Sequence, residues 1–151
     1  MSVDAAQSLY RTLIERWNQH DAEGFAACFV DDGTSIGFDG STVTGRDSIA
    51  SHLSEIFADH QTAAYVAVVR DVRVVATGVA LLRAVVGMMP PGADDLNPDG
   101  NAIQSLVAVE SEYGWRIVLF QSTPAAFHGR PDETATLTDE LRVVLRETNT
   151  G

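Results

Sequence analysis

At 151 residues the chain has the length of one domain, enough to bury roughly 70% of its unfolded surface, and 10 Lys+Arg against 21 Asp+Glu give it a formal charge of −11. That sign excludes phosphate-driven nucleic-acid binding and attachment to anionic membranes; a single cysteine excludes an internal disulfide and a multi-cysteine zinc site. No apolar run reaches the roughly 18 residues of a membrane span, and MSVDAAQSLYRTLIERW carries charges throughout, so a cytoplasmic location is expected.

Leu9, Tyr10, Leu13, Ile14 and Trp17 recur at three-four spacing and predict a first amphipathic helix from Val3 to Gln19. Asp21 is placed to cap a short second helix carrying Phe25, Cys28 and Phe29, where the thiol reads as buried and inert. The chain then turns at Asp31-Asp32-Gly33, runs as a strand from Thr34 to Phe38, reverses at Asp39-Gly40, a dipeptide suited to a type I′ turn, and returns as Ser41 to Thr44. Gly45 and Arg46 start a third helix with Ile49, Leu53, Ile56 and Phe57 on one stripe, His60 at its centre and His52 at its edge.

From Ala63 the period changes. YVAVVRDVRVV, VALLRAVVGMM, AIQSLVAVESE and WRIVLFQST predict long strands, with tight turns at Thr77-Gly78 and Tyr113-Gly114 and an extended loop at PPGADDLNPDGN. Leu137, Leu141, Val144 and Leu145 predict a short terminal helix begun by Thr136 or Thr138. This order gives an α+β fold in which three N-terminal helices and a β-hairpin pack on a highly curved antiparallel sheet, a cone with an open mouth suited to a small-molecule site. Residues 1–131 form the cone domain and 132–151 a helical extension of it.

The ordered pieces W-N-x-x-D (Trp17, Asn18, Asp21), F-x-x-x-F-x-x-D (Phe25, Phe29, Asp32), G-R-x-x-I-x-x-H (Gly45, Arg46, Ile49, His52) and G-W-R-I (Gly114 to Ile117) resemble the SnoaL-like, or nuclear-transport-factor-2-like, superfamily from about Leu9 to Pro131. FDGSTVTGR, VALLRAVVGMMPPG, WRIVLFQSTP and FHGRP resemble its SgcJ/EcaC branch. The resemblance implies a cone-shaped cystatin-like fold and a setting in bacterial secondary metabolism, enediyne polyketide biosynthesis included. Pairing of such cones through the convex sheet face is implied as well, and apolar residues on both parities of the long strands point the same way.

Enzymes of this superfamily keep acids and bases inside the cone. The position of the isomerase base falls on Gly37, and the last strand, Trp115 to Thr123, has no Asp or Glu where the cyclases use an acid. The remaining candidates for proton chemistry are His60, Asp39, Arg83 and Gln121; Asp39 also suits turn duty, and His60 a hydrogen-bonded helix end. Trp17, Phe29, Phe38, Tyr65, Met88, Gln104 and Phe120 are the candidate lining of an apolar cavity. Histidine spacing fits no metal site, the Asp94 to Asp99 cluster lacks calcium-loop register, and no cofactor motif is present, so the expected ligand is a hydrophobic small molecule with neither metal nor cofactor. Cofactor-free catalysis, binding or shielding of such a molecule, and a dimeric interaction module are the readings left open. Which strand parity faces the cone is undetermined, with Trp115, Ile117, Leu119, Gln121 and Thr123 assigned to one face and Arg116, Val118, Phe120 and Ser122 to the other.

Overall fold

A computed structural model describes residues 2–150, with side chains for residues 2–147. The order is α1 (Ser2–Asn18), α2 (Ala22–Ala26), β1 (Phe29–Ile36), β2 (Thr42–Thr44), α3 (Arg46–Asp59), β3 (Ala64–Ala76), β4 (Val79–Met89), β5 (Asn97–Ser111), β6 (Gly114–Pro124) and α4 (Pro131–Thr150). The strands form one sheet ordered β2-β1-β6-β5-β4-β3, antiparallel throughout except where β1 runs parallel to β6. None of its described helices is long and apolar enough to cross a membrane.

The amphipathic stripes become the core. Tyr10, Leu13 and Ile14 of α1, Phe25 of α2 and Ile49 and Leu53 of α3 meet Leu82, Ala84, Leu106, Ala108, Ile117 and Phe120 of the sheet. These helices cover the concave face.

Two local expectations around β1 are corrected. Phe29 opens a strand instead of closing a helix, because α2 stops at Ala26 and the chain pairs at once with β6, Ile117 N–H donating to Cys28 O at 2.8 Å and Phe29 standing opposite Ile117. Asp31-Asp32-Gly33 makes no reversal; it stays in β1, absorbed by a register shift between Phe29 and Thr34. Gly33 is required there, since a Cβ would lie 2.9 Å from the backbone oxygen of Ile117.

The hairpin tip differs as well. Gly40 N–H donates to Gly37 O and Gly37 N–H to Ser41 O, both at 2.9 Å, so the loop has three residues, Phe38-Asp39-Gly40, with only Gly40 at positive φ (+90°). A type I′ turn needs positive φ at both central residues, and Asp39 does not adopt it. Asp39 instead closes an Asx turn, its carboxylate accepting from Ser41 N–H at 2.9 Å and Ser41 Oγ at 3.0 Å.

Strand parity is decided by β-bulges. Val107 pairs with Leu119 and Ala108 with Ile117, leaving Val118 as an extra residue on β6, so Ile117 shares a face with Phe120 and Ser122 instead of with Leu119 and Gln121. A second shift in β3, between Val69 and Asp71, puts Val72 on the same face as Tyr65, Ala67 and Val69. Bulges bend and twist a strand, which curls this sheet into its cone.

α4 begins at Pro131, a residue suited to the first helical turn, and packs on the opposite, convex face. Leu137 and Leu141 form a second cluster with Val85, Leu96 and Ala125, flanked by Val66 and Val68. Gly87 permits the approach, because a Cβ there would sit 3.2 Å from Leu141 Cδ1 and 3.1 Å from Leu96 Cδ1. Arg70 Nη2 to Glu140 at 2.7 Å and Arg142 Nε to Asp95 at 3.0 Å rim the contact.

Candidate functional site

The motif residues of the N-terminal half fix the frame of the cone. Trp17 Nε1 donates to Ala63 O at 2.8 Å. Asn18 accepts from Tyr65 N–H at 2.8 Å and donates to Tyr65 O at 3.1 Å, imitating a neighbouring strand at the free edge of β3. Asp21 caps α2 through Gly24 N–H at 2.9 Å. Arg46 closes the other side: Nε and Nη2 reach Phe29 O at 3.0 and 2.7 Å, and Nη1 pairs with Asp31 at 2.8 Å.

Between this frame and the sheet lies a cavity of about 570 Å³, walled by Ile14, Trp17, Phe25, Leu53, Ile56 and Phe120 and entered past Phe38, Asp39 and Ser41. Trp17 stacks on Tyr65 with ring centres 5.1 Å apart and meets Phe57 edge-on at 5.3 Å. The aromatic wall is therefore held from behind. A groove of about 500 Å³ beside the start of α4, lined by Phe127, Arg130 and Thr134 among others, is more open to solvent.

Of the expected residues, Trp17, Phe38, Tyr65, Met88 and Phe120 line the cavity, as do Asp39 and His60. His52 joins them. Phe29, by contrast, is a fully buried core residue packed on Phe25 at 5.7 Å. Arg83 and Gln121 lie on the other face of the sheet. Asp71, Arg83, Ser105 and Gln121 form one cross-strand row there, and Arg83 is an exposed partner of Asp71. The row one step along, Val69, Ala84, Gln104 and Ser122, faces inward, so of the two parities left open by the sequence the one carrying Phe120 and Ser122 lines the cavity.

Gln104 is fully buried behind that wall. Tyr10 Oη donates to its Oε1 at 2.6 Å, and its Nε2 donates to Ser122 Oγ at 3.5 Å. Burial pushes the Tyr10 phenol well above its ordinary range, with Tyr65 nearby adding to the shift, and burial raises Tyr65 to about 12, so both stay protonated at neutral pH. Asp39 is the only carboxylate among the described lining residues; the two bonds from Ser41, with a smaller contribution from His52, hold it below the usual carboxylate range. Thr62 Oγ1, also in the lining, is buried with no hydrogen-bond partner among the described residues. Sequence reasoning missed Ser122, Thr62 and Ser35 as wall residues; only Ser122 carried a signal, as a polar residue in an apolar strand.

The sequence profile of the SnoaL-like domain matches residues 10–113. No curated protein matches the chain. Among solved structures, a domain of unknown function with a cystatin-like fold from Nostoc punctiforme shares 24% identity and a TM-score of 0.77 over 97% of this chain and 93% of its own. A protein with a cystatin-like fold from Caulobacter vibrioides shares 28% identity and a TM-score of 0.66 over 86% and 96%. A ketosteroid isomerase-like protein from Erwinia carotovora shares 14% identity and a TM-score of 0.65 over 83% and 97%, a likeness of fold alone.

Proposed function

Because the chain belongs to the SnoaL-like domain family, within the nuclear-transport-factor-2-like superfamily, we propose that its cone binds a flat hydrophobic small molecule and shields it from water. The observation that carries this is the cavity itself: about 570 Å³, aromatic and aliphatic along its walls, with the carboxylate of Asp39 at the mouth engaged in a turn. A pocket of that size and lining fits a planar two- or three-ring molecule. The likeness to the SgcJ/EcaC branch supports an intermediate of bacterial secondary metabolism, such as an enediyne polyketide, as the cargo.

The presence of His52, His60 and Asp39 in one lining supports a second reading, cofactor-free proton transfer of cyclase, isomerase or hydrolase type on the bound molecule. The bonds from Ser41 that hold Asp39 low make it a weak base, which leaves the histidines of the lining as the groups to test. The binding reading is tested with fluorene, a rigid tricyclic hydrocarbon. Uptake of one fluorene per chain in equilibrium dialysis is expected, with a raised thermal midpoint. No uptake would overturn the proposal.

We place a homodimer contact on the part of the convex face that α4 leaves open, where Ile103 (40% exposed) and Val118 (38%) stand beside Val107 and Leu119. Sedimentation should give twice the chain mass, and Ile103→Glu should shift it to the single-chain value. A monomer at micromolar concentration would contradict the contact.

A further inference from the structure

The buried pair Tyr10 and Gln104 makes no contact with the cavity, yet it governs a group that does. Tyr10 is 1% exposed and Gln104 0%, and burying an amide and a phenol in a small core costs several kcal/mol unless each is bonded. Their bonding has a fixed direction. The 2.6 Å contact between Tyr10 Oη and Gln104 has the length of an O–H···O bond, shorter than an N–H···O bond, so the oxygen of the Gln104 amide faces Tyr10. A protonated phenol whose one hydrogen bond among the described residues goes to that oxygen holds it there.

The NH2 of Gln104 is then turned toward Ser122, where it donates to Oγ at 3.5 Å. Ser122 accepts that bond and so cannot give its proton to Gln104. No other hydrogen bond engages Oγ among the described residues, and Ser122 lines the cavity while being only 5% exposed. Resting on the small-molecule reading of the cone, we infer that Ser122 Oγ–H is a directed hydrogen-bond donor to a carbonyl oxygen of the bound molecule, with Gln104 and Tyr10 as its positioning residues.

The ligand class follows. The deep wall offers a neutral donor, and the phenol of Tyr65 and hydroxyl of Thr62 add uncharged polar groups to the same lining, so the complementary ligand is a planar apolar ketone or quinone. A carboxylate would be desolvated at that deep wall with no Arg or Lys among the described lining residues to pair with it.

The probe pair is 9-fluorenone and fluorene, the same rigid tricycle with and without the carbonyl. Their affinity ratio cancels changes in cavity shape. Ser122→Ala is expected to lower the fluorenone-to-fluorene affinity ratio about five-fold, the size of one net hydrogen bond. The infrared carbonyl band of bound fluorenone should lie lower in the native protein than in Ser122→Ala. Tyr10→Phe, which touches no ligand, frees the Gln104 amide to turn its oxygen toward Ser122 and should lower the ratio in the same way. If fluorene and fluorenone both bind and the ratio survives Ser122→Ala, the donor assignment fails while the binding reading stands. A ratio that falls in Ser122→Ala but survives Tyr10→Phe overturns the positioning roles. If neither probe binds, both readings fall.

Discussion

Replacing Phe29 with alanine is expected to lower the unfolding free energy by about 3–5 kcal/mol, measured by urea denaturation, whereas Phe38→Ala is expected to cost less than about 1.5 kcal/mol and to weaken fluorene binding. The two phenylalanines sit at opposite ends of β1 and its loop. Phe29 is completely enclosed, with Phe25 5.7 Å away and the backbone at Gly33 against its ring, so truncation leaves a hole that rigid neighbours cannot fill. Phe38 is half-buried at the hairpin tip, where it lines the cavity mouth. Equal stability losses in the two variants would show that the tip belongs to the core.

Leu141→Ala is expected to destabilise by about 2–5 kcal/mol in the same measurement. Leu141 is fully buried in α4, over Gly87, with Leu96 on one side. Because Gly87 has no side chain to swing into the vacated space, the site can collapse only by moving the helix, which favours the upper part of the range. Val143, 47% exposed on the same helix, is the control, and Val143→Ala should change stability by less than about 0.5 kcal/mol. A Leu141 variant as stable as the Val143 variant would mean that α4 rests on the sheet without contributing to its core.

The order of elements was legible because each carries a strong local signal. The three-four spacing of Tyr10, Leu13 and Ile14, the Asp21 cap and the glycines at 78 and 114 depend on neighbours within a turn or two, and all appear where those signals put them. Long-range events were hidden. Phe25, Cys28 and Phe29 fit a helical stripe, but pairing with β6, almost ninety residues away, draws Phe29 into a strand. The Asp-Asp-Gly turn signature is overridden by the same pairing. At the hairpin, the chemistry of Asp-Gly was right for a reversal, and only the loop length differed, since the Asx bonds of Asp39 hold it at negative φ.

The site was legible in its aromatic wall and obscured in its polar wall for one reason. Trp17, Phe38, Tyr65 and Phe120 follow from which elements converge. Gln121 and Ser122 alternate along β6, and composition does not say which parity faces the cone, nor does it mark the bulge at Val118 that turns Ile117 to the side of Phe120. Arg83 misled for a related reason: an arginine in an apolar strand suggests a buried role, but its partner Asp71 sits across the ladder on the solvent side.

That extra residue at Val118 also separates two properties of the cavity that usually change together. Removing it would restore regular alternation with Ile117, Phe120 and Ser122 still facing inward, so the chemical character of the wall would persist while the strand straightened and the cone widened. Insertion and deletion at one outward-facing position thus tune the width of the cavity, and substitution at Ser122 or Phe120 tunes the chemistry of its wall. Descendants of this chain can explore the two independently, with neither change disturbing the helices that frame the mouth.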